Sequence, residues 1–250
     1  MPNHPPESRR LYRQVADQIT QLIEDGDYQR GARLPPERDL AKRLGVSRPS
    51  LREALIALEV EGYVDVRVGS GVYVQDPAPT RAAAASALDH ETGPFELLVT
   101  RRLVESECAA LAARCATTAQ VDAIEHSLDA MIRAAMHASS SGAASPLDED
   151  HAFHLRIAQA SNNSALLLLV QTLWAERAGP LFVRLEHHFN SPGLWLAAID
   201  EHRDIVRAIA ARNPSAARSA MRRHMDQAAR RFARNWMHAG KSAPPKESSR

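Results

Sequence analysis

The chain has 250 residues, with 31 Lys and Arg against 30 Asp and Glu, and two cysteines. That length allows one or two domains that bury their own cores, and a net charge of +1 excludes overall charge as the basis of any partnership. The longest apolar run, Leu166–Val170, is far short of the ~18 residues of a membrane span. The opening MPNHPPESRR lacks the apolar stretch of a secretory signal, so a cytoplasmic, soluble protein without a membrane partner is expected. Cys108 and Cys115 share one side of a helical pattern about 10 Å apart, too far for a disulfide, and read as small buried thiols in a reducing compartment.

In chain order, the first eight residues are polar and proline-rich and are expected to be disordered. Leu11, Val15, Ile19, Leu22 and Ile23 then form one stripe of a helix ending near Gly26. From Pro36 to Gly62 the sequence predicts two short helices around a tight turn. Leu40, Leu44 and Val46 give the first an apolar side; Leu51, Ala54, Leu55 and Leu58 give the second another. Between them, Gly45 supplies a flexible residue and Ser47 a hydroxyl placed to cap the second helix, with Pro49 tolerated in its first turn. From Arg38 to Arg52 the bases are Arg38, Lys42, Arg43, Arg48 and Arg52, against the single acid Asp39. Arginine forks in the first turns of a second helix suit phosphate oxygens and the O6/N7 edge of guanine. Residues 63–74 alternate at Val64, Val66 and Val68, turn at Gly69-Ser70-Gly71, and resume at Val72 and Val74, which predicts a hairpin. Helix-turn-helix plus hairpin is a winged helix; the plainer alternative is a small α/β unit whose basic residues lie on a solvated face.

The run LPPERDLAKRLGVSRPSLREALIALEVEGYV, followed by GSGVYV, resembles the N-terminal winged helix of the GntR family of bacterial transcription regulators over residues 9–75. The resemblance implies contacts to double-stranded operator DNA at Arg38, Arg48, Ser50, Arg52 and the wing tip at Gly69. Residues 1–76 hold 11 Lys and Arg against 12 Asp and Glu, so steering toward DNA would come from local clustering.

Residues 76–94 hold three prolines and an alanine-rich patch and read as a linker, with a helical turn near residues 82–88. From residue 95 to 238 the pattern is helical throughout. Six helices are expected: one from Phe95, one through Val121–Ile132, and one over Asp148–Ala160 after the loop 139–146. A fourth runs from Ser164 toward Leu185, bent or broken at Gly179-Pro180, and Leu194–Arg212 and Pro214–Met237 complete the set. The expected fold class is thus mainly α: a winged helix-turn-helix with a hairpin wing, then an all-α bundle. The tail 239–250 has a disordered composition.

Four polar residues of the bundle sit where an apolar core predicts none. His202 lies on the stripe of Trp195, Ile199, Val206 and Ile209, and His224 on that of Ala217, Met221, Ala228 and Phe232. In an antiparallel hairpin turning about residue 213 the two imidazoles are equally far from the turn, roughly 16 Å along facing helices. Asp150 and His154 form an i, i+4 pair on the third helix. One carboxylate and three imidazoles suit a divalent transition metal such as Zn, Ni or Mn. Ordinary hydrogen-bonded core histidines are the competing reading, and Glu149 and His151 are nearby alternatives to the third-helix pair.

The stretches DEDHAFHLRIAQASNNSAL and EHRDIVRAIAARNPSAARSAMRRHM resemble the FCD ligand-sensing domain of the FadR-like branch of that family. The resemblance implies a metal held by Asp150, His154, His202 and His224. It also implies a small carboxylate effector near Arg101 and Asn163, although Val99 replaces the usual acid two residues before Arg101. The expected function is a metabolite-responsive homodimeric regulator binding a palindrome. A metal-dependent enzyme fused to a DNA reader is the alternative, but no repeated Glu-x-x-His pair and no obvious general base accompany the cluster. A structural nucleoid protein would not need an inward-facing set of His and Asp.

Overall fold

The computed structural model describes residues 10–67, 69–76, 88, 91–137, 146–189 and 192–235. The termini expected to be disordered lie outside the described residues, as do all but Leu88 of the helical turn near 82–88 and most of the loop 139–146. The elements are α1 (Leu11–Glu24), α2 (Glu37–Leu44), α3 (Arg48–Val60), β1 (Val64–Arg67), β2 (Gly71–Val74), α4 (Pro94–Cys115), α5 (Thr118–His137) and α6 (Pro146–Ala160). They continue with α7 (Ser164–Ala175), a 3-10 turn (Glu176–Ala178), α8 (Pro180–Phe189), α9 (Pro192–Ala210) and α10 (Pro214–Asn235). The class is as expected, mainly α with one antiparallel hairpin. The expected fourth bundle helix is broken outright at Gly179-Pro180, since proline removes a backbone donor and clashes with the preceding turn.

The helix-turn-helix follows its local chemistry. Gly45 ends α2 in the left-handed conformation (φ 68°), which costs a residue without Cβ nothing. Ser47 Oγ then accepts the Ser50 amide at 3.2 Å as the N-cap of α3, whose first turn holds Pro49. Leu51, Ala54, Leu55 and Leu58 are all buried, and they pack with Tyr12, Val15, Ala16 and Ile19 of α1. The buried face of α1 is therefore rotated from the expected stripe: Leu11 is more than half exposed, and Tyr12 takes its place. In the wing, Val64 pairs with Val74 and Val66 with Val72, all four inward, while Asp65 and Arg67 stay outside. A strand-like segment that the alternation did not reveal runs along β2, where the Leu34 amide donates to Val72 O at 2.8 Å and Arg33 bridges Tyr73.

Two compact units result. One comprises the chain through Phe95 together with 180–188 and the chain from 232 onward, the other 96–179 and 189–231. Grouping α8 with the first unit differs from the expected limits of 9–75 and 95–238, and Glu59 at the end of α3 is one of the residues that hold it there. This buried carboxylate accepts the Val66 amide at 3.1 Å, Arg184 Nη2 at 2.9 Å and His188 Nε2 at 2.6 Å. In the second unit, Phe153, Ile157, Ile124, Met131, Ile199, Ile205 and Met221 form a continuous core. Cys108 is buried there as expected. Cys115, the last residue of α4, is exposed, and both thiols are free. No single helix among the described residues is long and apolar enough to cross a membrane.

Removing Glu59 strands Arg184, His188 and one amide. Burial raises its pKa, but His188 and Arg184 outweigh that and hold it below its ordinary value of 4.5. Its stabilisation is therefore present above that value and lost as pH falls through the lower folded one. Glu59→Ala is expected to cost about 2–3 kcal/mol at pH 7, discounted for the part-exposed Arg184. Chemical denaturation of both proteins at pH 7 and pH 3 checks this: the difference between them should shrink at the lower pH.

Candidate metal centre and nucleic-acid interface

Four helices bring the expected ligands together. Asp150 and His154 project from α6, His202 from α9 and His224 from α10; one ligand atom of each lies within 4.8 Å of every other. The α9–α10 hairpin sets the height of the two later imidazoles. Arg212 turns the chain at φ 54°, and Asn213 Oδ1 caps α10 by accepting the Ala216 amide at 3.0 Å. As a result the rings of His202 and His224 stand 4.3 Å apart, centre to centre. All four residues are buried, His202 completely.

Around the cluster, a second set of groups meets each imidazole at its Nδ1, by a hydrogen bond for His202 and His224 and by contact without an aligned hydrogen bond for His154. His202 Nδ1 meets the Ala198 carbonyl at 2.6 Å, His224 Nδ1 the Glu201 carboxylate at 2.9 Å, and His154 Nδ1 lies against Glu105 Oε2. Acceptors at Nδ1 leave Nε2 as the basic nitrogen, which is how proteins orient imidazoles toward a metal. The Nε2 atoms of His154 and His202 are buried without an aligned hydrogen bond, at 3.6 and 3.0 Å from Asp150 Oδ1. The residues thus fit a divalent transition ion.

Electrostatics keep the carboxylates charged. Burial raises the pKa of Asp150, yet His154 and His202 hold it well below the usual carboxylate range. Glu105 is likewise raised by burial but brought down to about 2 by Arg101 and His154. His224 is pushed down to about 3, first by burial and then by the neighbouring His202, so its imidazole stays neutral at neutral pH. Arg101 is buried with its Nε on Glu105 at 2.7 Å, and Arg177 reaches Asp150 Oδ2 at 3.3 Å. Both guanidiniums lie over the indole of Trp174, at 4.0 and 4.3 Å from its centroid. His151, weighed above only as an alternative ligand, stacks on the same indole at 4.7 Å. Glu105, Glu201, Trp174 and Arg177 were not singled out as site residues from the sequence. For Glu105 the available signal was its i, i+4 spacing from Arg101.

Asn163 does not join this group. It is exposed, and its Oδ1 accepts the amides of Ala165 and Leu166 at 3.1 Å as the N-cap of α7; Asn163 is a capping residue.

At the helix-turn-helix, Arg38 is largely exposed and touches only the neighbouring Asp39 at 3.3 Å. Arg48 is part-exposed with its Nε on Glu37 Oε1 at 2.6 Å. Ser50 shares a 2.8 Å hydrogen bond with the capping Ser47 hydroxyl. Gly69 sits in the wing turn at φ 101°. Arg52 departs from the expectation of a base-reading side chain, with only 2 % of it exposed. It lies against Glu37, Nε at 3.1 Å and Nη2 at 2.9 Å, because the second turn of α3 already faces the domain's interior. Arg67 on β1 is an exposed wing base that the sequence reading passed over.

A winged helix beside a helical domain with a buried metal-type cluster defines a DNA-binding regulator with a sensing domain. Residues 11–74 match the model for bacterial regulatory proteins of the gntR family, and residues 96–227 match the FCD domain. The chain is 38% identical over 227 residues to the Exu regulon transcriptional regulator of Escherichia coli K12, spanning 88% of this chain and 83% of that protein. It is 35% identical over 228 residues to the Uxu operon transcriptional regulator of the same strain (90% and 88%). A third relative there, the Glc operon transcriptional activator, is 33% identical over 224 residues (88% and 87%). The chain belongs to the GntR family, with an N-terminal GntR helix-turn-helix domain and a C-terminal FCD effector-binding domain. It is a transcription regulator and not an enzyme.

Glu37 is the acid on which both helix-turn-helix arginines converge. Glu37→Ala would leave the Arg52 guanidinium buried without its carboxylate, which costs about 3 kcal/mol. Differential scanning calorimetry should show the DNA-binding domain melting earlier, with the FCD transition unmoved.

Proposed function

We propose that the protein is a metabolite-responsive regulator binding a palindromic operator as a homodimer, with a small organic acid recognised at a divalent metal in the FCD domain. Residues 9–75 would read DNA, and the sensing function would belong to residues 95–238. The observation that carries this reading is the buried set of four donors within 4.8 Å of one another. Buried without partners, such groups would each carry a desolvation penalty that one shared cation removes. Asp150, His154, His202 and His224 would hold Zn, Ni or Mn, and the ion would supply a Lewis-acidic position for the effector's carboxylate. Arg101, buried beside this set and held by Glu105, adds positive charge for that acid.

On the DNA side, Arg38, Arg48, Ser50 and the wing tip at Gly69 would make the direct contacts. Arg52 would act from beneath, fixing Glu37 and through it Arg48. A single recognition helix reads only a few base pairs, so two copies related by a dyad supply the specificity. The effector alters DNA binding only to the extent that it binds one arrangement of the dimer better than another.

Arg48→Ala is expected to lose about 1–3 kcal/mol on the operator and relax preference at particular base pairs. Arg52→Ala should lower affinity together with the melting temperature of the DNA-binding domain. Footprinting of both variants on a randomised operator library separates the two; a footprint without a dyad would contradict dimeric binding.

For the sensor, native mass spectrometry of protein purified without chelator should find one divalent ion per chain. His202→Ala and His224→Ala should each reduce it at least tenfold and abolish the effector response. Absence of metal, with no thermal stabilisation by added Zn²⁺, Ni²⁺ or Mn²⁺, would return the histidines to the core.

A further inference from the structure

The outer face of the wing carries charge that no role assigned so far uses. Leu34, Val64, Val66, Val72 and Val74 are all buried, so their neighbours along each strand point out. Those neighbours are Asp65 and Arg67 on β1, Gly71 and Tyr73 on β2, and Arg33 on the segment bridged to Tyr73. Arg67 pairs across the hairpin with Gly71, the last rung before the wing tip. Gly71 lies at φ 128°, and the Arg33 side chain runs over it: a Cβ there would collide with Nε and stand 3.0 Å from the guanidinium carbon. The missing side chain is what lets Arg33 reach across β2 toward the tip.

Two guanidiniums on this face are balanced by one acid. Arg67 lies over the Tyr73 ring, 4.5 Å from its centroid, with Nε on Asp65 Oδ2 at 2.7 Å. The Tyr73 hydroxyl is held in turn by the Ser70 hydroxyl at 2.8 Å. These contacts fix the plane of Arg67 and leave its two terminal nitrogens without a hydrogen bond among the described residues, on a side chain more than half exposed. Arg33 is exposed and meets no carboxylate among the described residues.

The tip itself, Gly69-Ser70-Gly71, bears no charge. Acids slightly outnumber bases over residues 1–76, so attraction to a polyanion has to come from cations grouped in this way. Terminal guanidinium nitrogens turned outward from a sheet face grip the oxygens of a phosphate. We propose that the outer face of the wing is a sequence-independent phosphate clamp: Arg33 and Arg67 each hold a backbone phosphate of the operator beside the wing tip. This assignment rests on the reading of residues 9–75 as the DNA reader, with the wing tip on the duplex. It gives the wing a share of the affinity and leaves sequence preference to α3.

The test is fluorescence anisotropy of the full-length protein on two duplexes, one selected by the wild type from a randomised library and the other a scramble of it. Affinity is measured across a salt series, because each phosphate contact contributes about 0.9 to the slope of log affinity against log salt. Arg33→Gln and Arg67→Gln remove a charge each, and Arg33→Lys restores it. Arg207→Gln, which alters an exposed cation of the other unit, controls for net charge alone. Melting temperatures are measured for every variant.

Arg33→Gln and Arg67→Gln should each weaken both duplexes by the same factor and lower the slope by about 0.9 for each wing engaged. Arg33→Lys should return the slope to the wild-type value, and Arg207→Gln should not move it. An unchanged slope in either folded glutamine variant overturns the clamp and leaves the DNA-reading assignment standing. A loss confined to the selected duplex overturns it too, by making that arginine a base reader, and so does an equal fall in Arg207→Gln. If the wild type selects no duplex from the library, the reading of residues 9–75 fails and the clamp with it. Should a glutamine variant not fold, Asp65→Asn decides instead, since it keeps both arginines and removes their one acid. Tighter binding to both duplexes is then expected, and unchanged or weaker binding overturns the proposal.

Discussion

Burial of basic nitrogen is the constraint on which the sensing domain depends. Three imidazoles and a carboxylate are buried in a helical unit alongside an aliphatic and aromatic core. Water cannot satisfy them there, so the fold must. It does so from outside the cluster, with the Ala198 carbonyl, Glu201 and Glu105 each taking an Nδ1. Those acceptors need holding in turn: Arg231 lies on Glu201 and Arg101 on Glu105. Outward of His154 and His224, charge thus alternates through Glu105 to Arg101 and through Glu201 to Arg231, which compensates those buried carboxylates.

Much of this was legible in the sequence because it depends on period and symmetry. The positions of His202 and His224 about the Asn213-Pro214 turn placed them at one height on facing helices, and their rings are 4.3 Å apart. The i, i+4 spacing of Asp150 and His154 put both on one face of α6. Cap, left-handed glycine and alternating valines likewise identified the winged helix, since each is local chemistry. What stayed hidden were partners distant in sequence. Nothing local tells that Glu59 collects Arg184 and His188, 125 and 129 residues away, and so draws α8 to the first unit. Asn163 adds a role that its motif did not suggest: its position just before α7 makes it the cap of that helix.

The break at Gly179-Pro180 has a chemical consequence as well as a topological one. Had α7 continued as one helix, Arg177 would have been an ordinary helical residue. Instead it sits in a 3-10 turn, three residues after Trp174, with its guanidinium over the indole and one nitrogen on Asp150. Proline at 180 ends the run at little cost, since the first residue of a helix needs no amide donor. The glycine-proline pair thereby creates the corner at which an arginine can serve a buried carboxylate two elements away.

The same economy governs the recognition helix, where Arg48 and Arg52 share Glu37 in different ways. Arg52 commits both Nε and Nη2 to the carboxylate and is enclosed. Arg48 commits Nε alone, and more than a third of its side chain is exposed. Bidentate recognition of guanine O6 and N7, or of a phosphate, uses the two donors at the end of an arginine fork. A carboxylate on Nε therefore fixes the plane of the Arg48 guanidinium without occupying its reading edge. It also removes rotamer freedom before DNA arrives, which lowers the ordering cost of binding. Arg52 keeps Glu37 in place from the buried side. On the proposed role of Arg48 at the operator, a substitution that spared Arg48 but freed Glu37 would thus weaken DNA reading by loosening an arginine that still has all its donors.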